Sequence, residues 1–316
     1  MNILITGGSG FIGSHLSKLY AQKGNNIFII DNLLTGNRKN IQSIPSGSLI
    51  FFEQDLTTFN LTKLPHIDIC YHLASPASPV QYKKHPIETM RVNSEGTYRI
   101  LELCRNKGCD RMVLTSTSEI YGDPLEHPQK ESYWGNVNTL GDRACYDEAK
   151  RYAESISMTY HRSFDIDVRI ARIFNTYGPN MELNDGRVVS NFIIQAIQNN
   201  PITIYGDGTQ TRSFCYVEDM VSGLVALGET EDIQGDVINL GNPDEKTVLE
   251  LAEIIKDMTD STSEISFEGI GEDDPKKRKP DISKAQKVLK WEPKVPLDQG
   301  LQKTINYFES ELNKQN

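Results

Sequence analysis

Along the first half of the chain, short runs of β-branched and other apolar residues alternate with longer stretches in which apolar and polar positions mix at helical spacing. The apolar runs at 2–6, 26–30, 49–52, 67–72, 111–116 and 167–174 read as strands. Each is mostly apolar on both faces and is followed by enough residues for a crossover helix, 14–23 being the first. This pattern predicts an α/β fold built on a doubly wound parallel sheet. After Asn175 the texture changes. Pro179, Asn184-Asp185-Gly186, Pro201 and Gly206-Asp207-Gly208 cut the chain into short pieces, and a charged run follows over 271–280, most simply a solvated loop. The expected division is a sheet domain over 1–176 with a return segment near 210–242, and a smaller substrate-binding lobe over 177–209 and 243–316.

Composition narrows the classes. With 316 residues, 38% hydrophobic and 24% charged, the chain can bury a large core. Its net charge of −10 gives no global attraction to nucleic acid, so any phosphate site must be local. No apolar stretch is long enough to span a bilayer, and a strand beginning at Asn2 leaves no room for a signal peptide, so the expected setting is the cytoplasm. The five cysteines form no Cys-x-x-Cys pair and no histidines cluster at ligand spacing; neither a disulfide framework nor a metal site is expected. Cys145 reads as a small packing residue.

The opening strand runs into Gly7-Gly8-Ser9-Gly10-Phe11-Ile12-Gly13. Glycines at 7, 10 and 13 permit a tight turn, close approach of backbone amides to a pyrophosphate, and helix-on-strand packing, with a helix N-terminus facing the anion. Asp31 falls at the end of the second strand, where a carboxylate accepts from both ribose hydroxyls. The combination predicts a Rossmann-type NAD site. That carboxylate disfavours a 2′-phosphate, although Arg38 nearby softens the preference. Asp55 is either an acceptor for an adenine amino group or a strand-end turn residue.

Tyr146 and Lys150 are four apart in a helix expected over 144–161, so phenol and ammonium share a face. With 13 tyrosines in the chain the spacing is not rare, and it needs a third member. Thr117 supplies it, directly after the strand 111–116 and at the same end of the sheet as the glycine loop. A lysine ammonium and a positive nicotinamide beside Tyr146 are expected to favour phenolate, bringing a group of ordinary pKa ~10 toward service as a base.

These residues, with His72-Leu73-Ala74-Ser75-Pro76-Ala77-Ser78-Pro79, Arg172-Ile173-Phe174-Asn175-Thr176-Tyr177-Gly178-Pro179, Gln210-Thr211-Arg212-Ser213-Phe214 and the 273–281 segment, resemble the extended short-chain dehydrogenases/reductases, and within them the UDP-glucuronate decarboxylases (UDP-xylose synthases). The resemblance runs through nearly the whole chain. It implies that bound NAD is reduced and then reoxidised while UDP-glucuronate passes through a C4-keto intermediate to UDP-xylose. It implies a catalytic set of Thr117, Glu119, Tyr146, Lys150 and Arg212, in which Thr117 and Tyr146 bind O4, Tyr146 with Lys150 is the base, and Glu119 and Arg212 take part in decarboxylation and protonation at C5. The implied cofactor site is Gly7, Gly10, Phe11, Ile12, Gly13, Asp31, Asn32, Arg38, Asp55 and Leu73 with Tyr146 and Lys150. Ser118, Asn175, Arg187, Val188, Asn191, Tyr205, Arg212 and Arg278 are the implied substrate contacts. A homodimer through a four-helix bundle of helices about 91–106 and 144–161 is implied as well.

Some assignments stay open. Related 4,6-dehydratases carry an Asp where Ser118 stands, and a hydroxyl has no useful proton to give near neutrality, so dehydration loses its acid. Arg212 fits diphosphate binding as well as catalysis, Glu119 a structural hydrogen bond, and Tyr82 either the sugar pocket or packing. Ser75, Thr139, Asp142 and Ala149 depart from the family pattern and are expected to flank the sugar pocket. A UDP-glucuronate 4-epimerase, a UDP-apiose/xylose synthase, and a catalytically silent NAD or nucleotide-sugar sensor are the competing readings.

Overall fold

The computed structural model of the chain describes residues 1–269 and 277–314. Asp273, Asp274, Pro275 and Lys276 of the charged run therefore lie outside the described residues. The central sheet has strands β1 (Asn2–Thr6), β2 (Asn26–Asp31), β3 (Leu49–Glu53), β4 (Ile67–His72), β5 (Cys109–Thr117), β6 (Asp167–Ile173) and β7 (Val237–Leu240). All pairings are parallel, in the order β7-β6-β5-β4-β1-β2-β3. The order reverses between β1 and β4, which opens a crevice at the carboxyl ends of those strands.

Burial on both faces explains the continuous apolar runs. Ile3 and Ile5 of β1 enter one core cluster with Ile29, Val113 and Ile238, while Leu4 enters the other with Phe28, Met112 and Leu114. The first cluster continues through Val217 and Leu224 to Leu251, Leu301 and Phe308, so the C-terminal segments share a core with one face of the sheet. β7 escapes a periodicity reading because it is only four residues long and contains Asn239. That amide is fully buried, donating to Gln129 O and Asp281 O and accepting from the Tyr121 hydroxyl.

The helix after the glycines spans Phe11–Gln22 and the one carrying Tyr146 spans Ala144–Phe164, both close to expectation. The single helix expected over 91–106 is instead Pro86–Arg91, a π-type turn at Val92–Gly96, and Thr97–Arg105. Polar side chains cause the break. Asn93 donates to Thr89 O and Thr97 to Asn93 O, inserting into the ladder that a regular helix would complete. Beyond β6, Thr211–Ser213 pairs with Glu245–Thr247 and Lys277–Arg278, while Ile202–Tyr205 pairs with Ile265–Glu268.

Candidate active site

The glycine loop is dictated by backbone proximity. Gly7 has φ +72°, and a Cβ there would sit 2.8 Å from Ala74 N; a Cβ on Gly13 would sit 2.2 Å from Gly7 O. Gly10 is the N-cap of the Phe11–Gln22 helix and offers no side-chain cap, so the first-turn amides are left to another acceptor. This uncapped N-terminus at the mouth of the crevice fits a dinucleotide pyrophosphate. Asp31 closes the adenosine side. Its carboxylate accepts from Ser9 N (3.0 Å) and Leu33 N (2.9 Å); burial raises its pKa, opposed by those amides.

Two cofactor-side expectations change in detail. Asp55 does the work of a turn residue, its Oδ1 taking Thr57 N (2.8 Å) and Thr57 Oγ1 (2.6 Å) while Oδ2 takes Asn32 Nδ2 (3.1 Å), yet it also forms part of the cavity wall. Arg38 does not reach the cavity. It is exposed, stacked over Phe51 at 4.9 Å and bonded to Glu53 at 2.8 Å, because the turn after β2 aims it along the sheet edge.

Every other residue expected in the site lines one cavity of about 730 Å³. Tyr146 and Lys150 project into it from the Ala144–Phe164 helix, with Lys150 Nζ 5.9 Å from the phenol ring centroid and donating to Thr115 O at 2.8 Å. Thr117, where β5 ends, lies by the phenol, whose pKa its hydroxyl lowers, and accepts from Glu119 N at 3.2 Å. Tyr82 stacks on Tyr146, centroids 5.0 Å apart and planes within 6°. Electrostatically the pair is not yet the phenolate and ammonium that spacing suggested. Burial pushes the Tyr146 phenol well up, with Thr117 and Arg187 opposing, and burial lowers Lys150 to about 7. Desolvation penalises both charged forms, a cost that sequence spacing cannot register.

The neighbouring part of the wall is charged. Glu119, at the start of the short turn Ser118–Tyr121, pairs with Arg143 and with both terminal nitrogens of Arg278. Burial alone would raise its pKa, but the two guanidiniums outweigh it and hold Glu119 at about 2. Arg278 and Arg212 are register partners on adjacent strands, both buried and both in the wall. Arg278 Nε is buried with no hydrogen-bond partner among the described residues, a donor that suits an anionic ligand. Arg187 pairs with Asp185 at 2.8 Å, and Ser118, Asn175, Val188 and Asn191 complete the pocket, with half-exposed Tyr205 at its mouth.

Sequence reasoning missed Arg143 and Asp147. Arg143 is the N-cap residue of the Tyr146 helix, three before the tyrosine, and its 143/147 spacing with Asp147 was the available signal. Of the four departures from the family pattern, Ser75 lines the cavity, accepting from Asn93 Nδ2 at 2.8 Å. Thr139 and Asp142 are exposed outside it and Ala149 is buried in the helix, so these three do not flank the sugar pocket.

A parallel sheet with its glycine loop at the switch point and a buried Thr, Tyr and Lys at the same end defines an extended short-chain dehydrogenase/reductase. The chain belongs to the NAD dependent epimerase/dehydratase family, whose profile matches residues 3–241. It is 51% identical over 314 residues to UDP-glucuronic acid decarboxylase 1 of Arabidopsis thaliana, covering 99% of this chain and 71% of that protein. Identity to UDP-glucuronic acid decarboxylase 1 of Xenopus tropicalis is 49% over 314 residues, covering 99% and 73%. Among solved structures, the UDP-glucuronic acid 4-epimerase from Bacillus cereus, in complex with UDP-glucuronic acid and NAD, superposes with TM-score 0.89 at 31% identity, covering 98% of this chain and all of that one.

Proposed function

We infer that this protein converts UDP-glucuronate to UDP-xylose by oxidising C4, releasing CO₂ and reducing C4 again with the same NAD. The observation that carries the reading is the Glu119, Arg143 and Arg278 wall facing the same cavity as Thr117, Tyr146 and Lys150. About 50% identity to decarboxylases of plant and animal origin supports it. Bound NAD supplies a hydride acceptor at C4 and later the hydride donor. Gly7, Gly10 and Gly13 with Phe11, Ile12 and Leu73 hold it, and Asp31, Asn32 and Asp55 border its adenosine end. Arg187, Arg212 and Arg278 hold the diphosphate, with Asn175, Asn191 and Tyr205 at the nucleoside. The lobe over 177–209 and 243–316 provides most of these contacts.

Tyr146 takes the O4 proton, with Thr117 beside the phenol and Lys150 anchored on Thr115 O to supply positive charge. Oxidation places the C6 carboxylate β to a ketone, and departure of CO₂ leaves an enolate at C5. Ser118 has no acidic proton near neutrality, so loss of water from the sugar is not the outcome. Glu119, held at about 2 between two arginines, does not store a proton near neutrality.

The protein works in the cytoplasm as a homodimer in this reading. Five free cysteines support a reducing setting. Exposed Met90, Tyr98, Tyr152 and Phe164, on the helices expected to form a four-helix interface, support the dimer. Incubation with UDP-glucuronate and NAD, read by mass spectrometry, tests the activity. A product lighter by CO₂ is expected, whereas an isobaric product would assign a 4-epimerase and overturn the decarboxylase reading.

A further inference from the structure

Behind the charged wall lies a second, smaller cavity of about 210 Å³. Glu119, Arg143 and Arg278 line both cavities, so this ion cluster is the partition between them. Asp147 lines only the second one, on the side away from the substrate pocket. Its side chain is buried, Oδ1 has no hydrogen-bond partner among the described residues, and Oδ2 lies 4.0 Å from Arg143 Nε. The rim includes the exposed residues Asp123, Asn136 and Asn138, which places solvent at the outer end.

The chemistry proposed above needs a proton at C5 once CO₂ has left. Glu119 borders the sugar pocket but is too acidic to store that proton. We propose that the second cavity is a proton inlet in which Asp147 holds the proton and Glu119, shared by both cavities, hands it to C5; the proposal rests on the decarboxylase reading. Carbon dioxide departs with cleavage of C5–C6, whose electron pair stays in the enolate. The C5–H bond forms as an O–H bond on Glu119 breaks. Glu119 draws its proton from the Asp147 carboxyl through water in the cavity, and Asp147 is reprotonated from solvent. Each turnover takes up one proton.

The surroundings favour a protonated Asp147. Burial and the charges of Glu119 and Glu148 push its pKa up to about 7, against Arg143 and Arg278, while Asp123 lies on the same cavity from the facing loop. A holder with a pKa close to the working pH is what proton delivery requires. Asp147 touches neither sugar nor nicotinamide, so it is a positioning residue for the proton.

The test compares wild type with Asp147→Asn on UDP-glucuronate in D₂O, following CO₂ release, products and NADH on the protein across pH. The wild type is expected to give UDP-pentose labelled at C5, with the share of reduced pentose falling as pH rises past neutrality. Asp147→Asn should keep CO₂ release within about twofold, lose that pH limb, and raise UDP-4-keto-pentose with stranded NADH about tenfold, as enol that escapes unprotonated takes its C5 proton from bulk water. Val137→Trp, which fills the second cavity from another side, should reproduce the shift with NAD affinity unchanged. A wild-type pH profile and product ratio in Asp147→Asn would overturn the relay, as would a fall in CO₂ release and NAD binding together, the mark of a merely structural residue. A wild type that never releases CO₂ would overturn the decarboxylase reading itself, and the relay with it.

Discussion

Two parts of the wall of the substrate cavity meet burial in different ways. On the nicotinamide side desolvation outweighs the neighbouring charges, raising the Tyr146 pKa and lowering that of Lys150 to about 7. Beside them Glu119 sits between Arg143 and Arg278, and pairing keeps all three charged. The difference follows from the sign and closeness of the partners: a buried charge survives where opposite charge compensates its lost hydration. The first part is suited to exchanging a proton with O4, and the second to placing charge beside a sugar carboxylate.

Tyr146→Phe should break the first part most severely. Turnover is expected to fall about a thousandfold with NAD affinity preserved, read by steady-state kinetics and cofactor titration. On the charged wall, Glu119→Ala leaves two buried guanidiniums without their shared counter-charge. Denaturant unfolding should register a loss of about 3–5 kcal/mol, alongside slowed CO₂ release.

The charged wall should also have a signature in pH. Glu119 has its pKa lowered from 4.5 to about 2 in the folded state, so its contribution is present above the unfolded value and is lost as pH falls through that window. Asp147 runs the other way. Its pKa is raised from 3.8 to about 7, so the folded state binds the extra proton and stability declines as pH rises across that interval. Asp147→Asn should remove the decline and leave the acid limb of Glu119, measured as unfolding free energy against pH.

Smaller effects sharpen the cofactor side. Asp31→Asn should weaken NAD binding roughly tenfold and narrow its preference over NADP, measured by calorimetry. Arg38→Ala should cost less than about 1 kcal/mol and leave NAD affinity unchanged, because Arg38 is spent on an exposed pair with Glu53.

What the sequence revealed follows the same division. β1 to β6 were legible because burial on both faces demands continuous apolar runs, and Gly7, Gly10 and Gly13 because backbone proximity excludes side chains. The Tyr146, Lys150 and Thr117 grouping followed from helix spacing and strand ends. Arg143 and Asp147 were not legible, because their importance depends on Glu119 and Arg278 arriving from distant segments. The π-type turn at Val92–Gly96 was hidden for a related reason: side-chain bonding to the backbone, rather than apolar period, decides it. The raised Tyr146 pKa and the lowered Lys150 pKa depend on desolvation, which only the packed structure sets.

The most direct test of the central claim uses UDP-glucuronate deuterated at C4, with unlabelled NAD added in excess. If Tyr146 and its neighbours oxidise and then restore C4 around one retained cofactor, the product is a UDP-pentose lacking the carboxylate and still carrying deuterium at C4. A pentose with that deuterium lost to the added cofactor pool, or CO₂ release that leaves the C4–D bond unbroken throughout, would contradict the account.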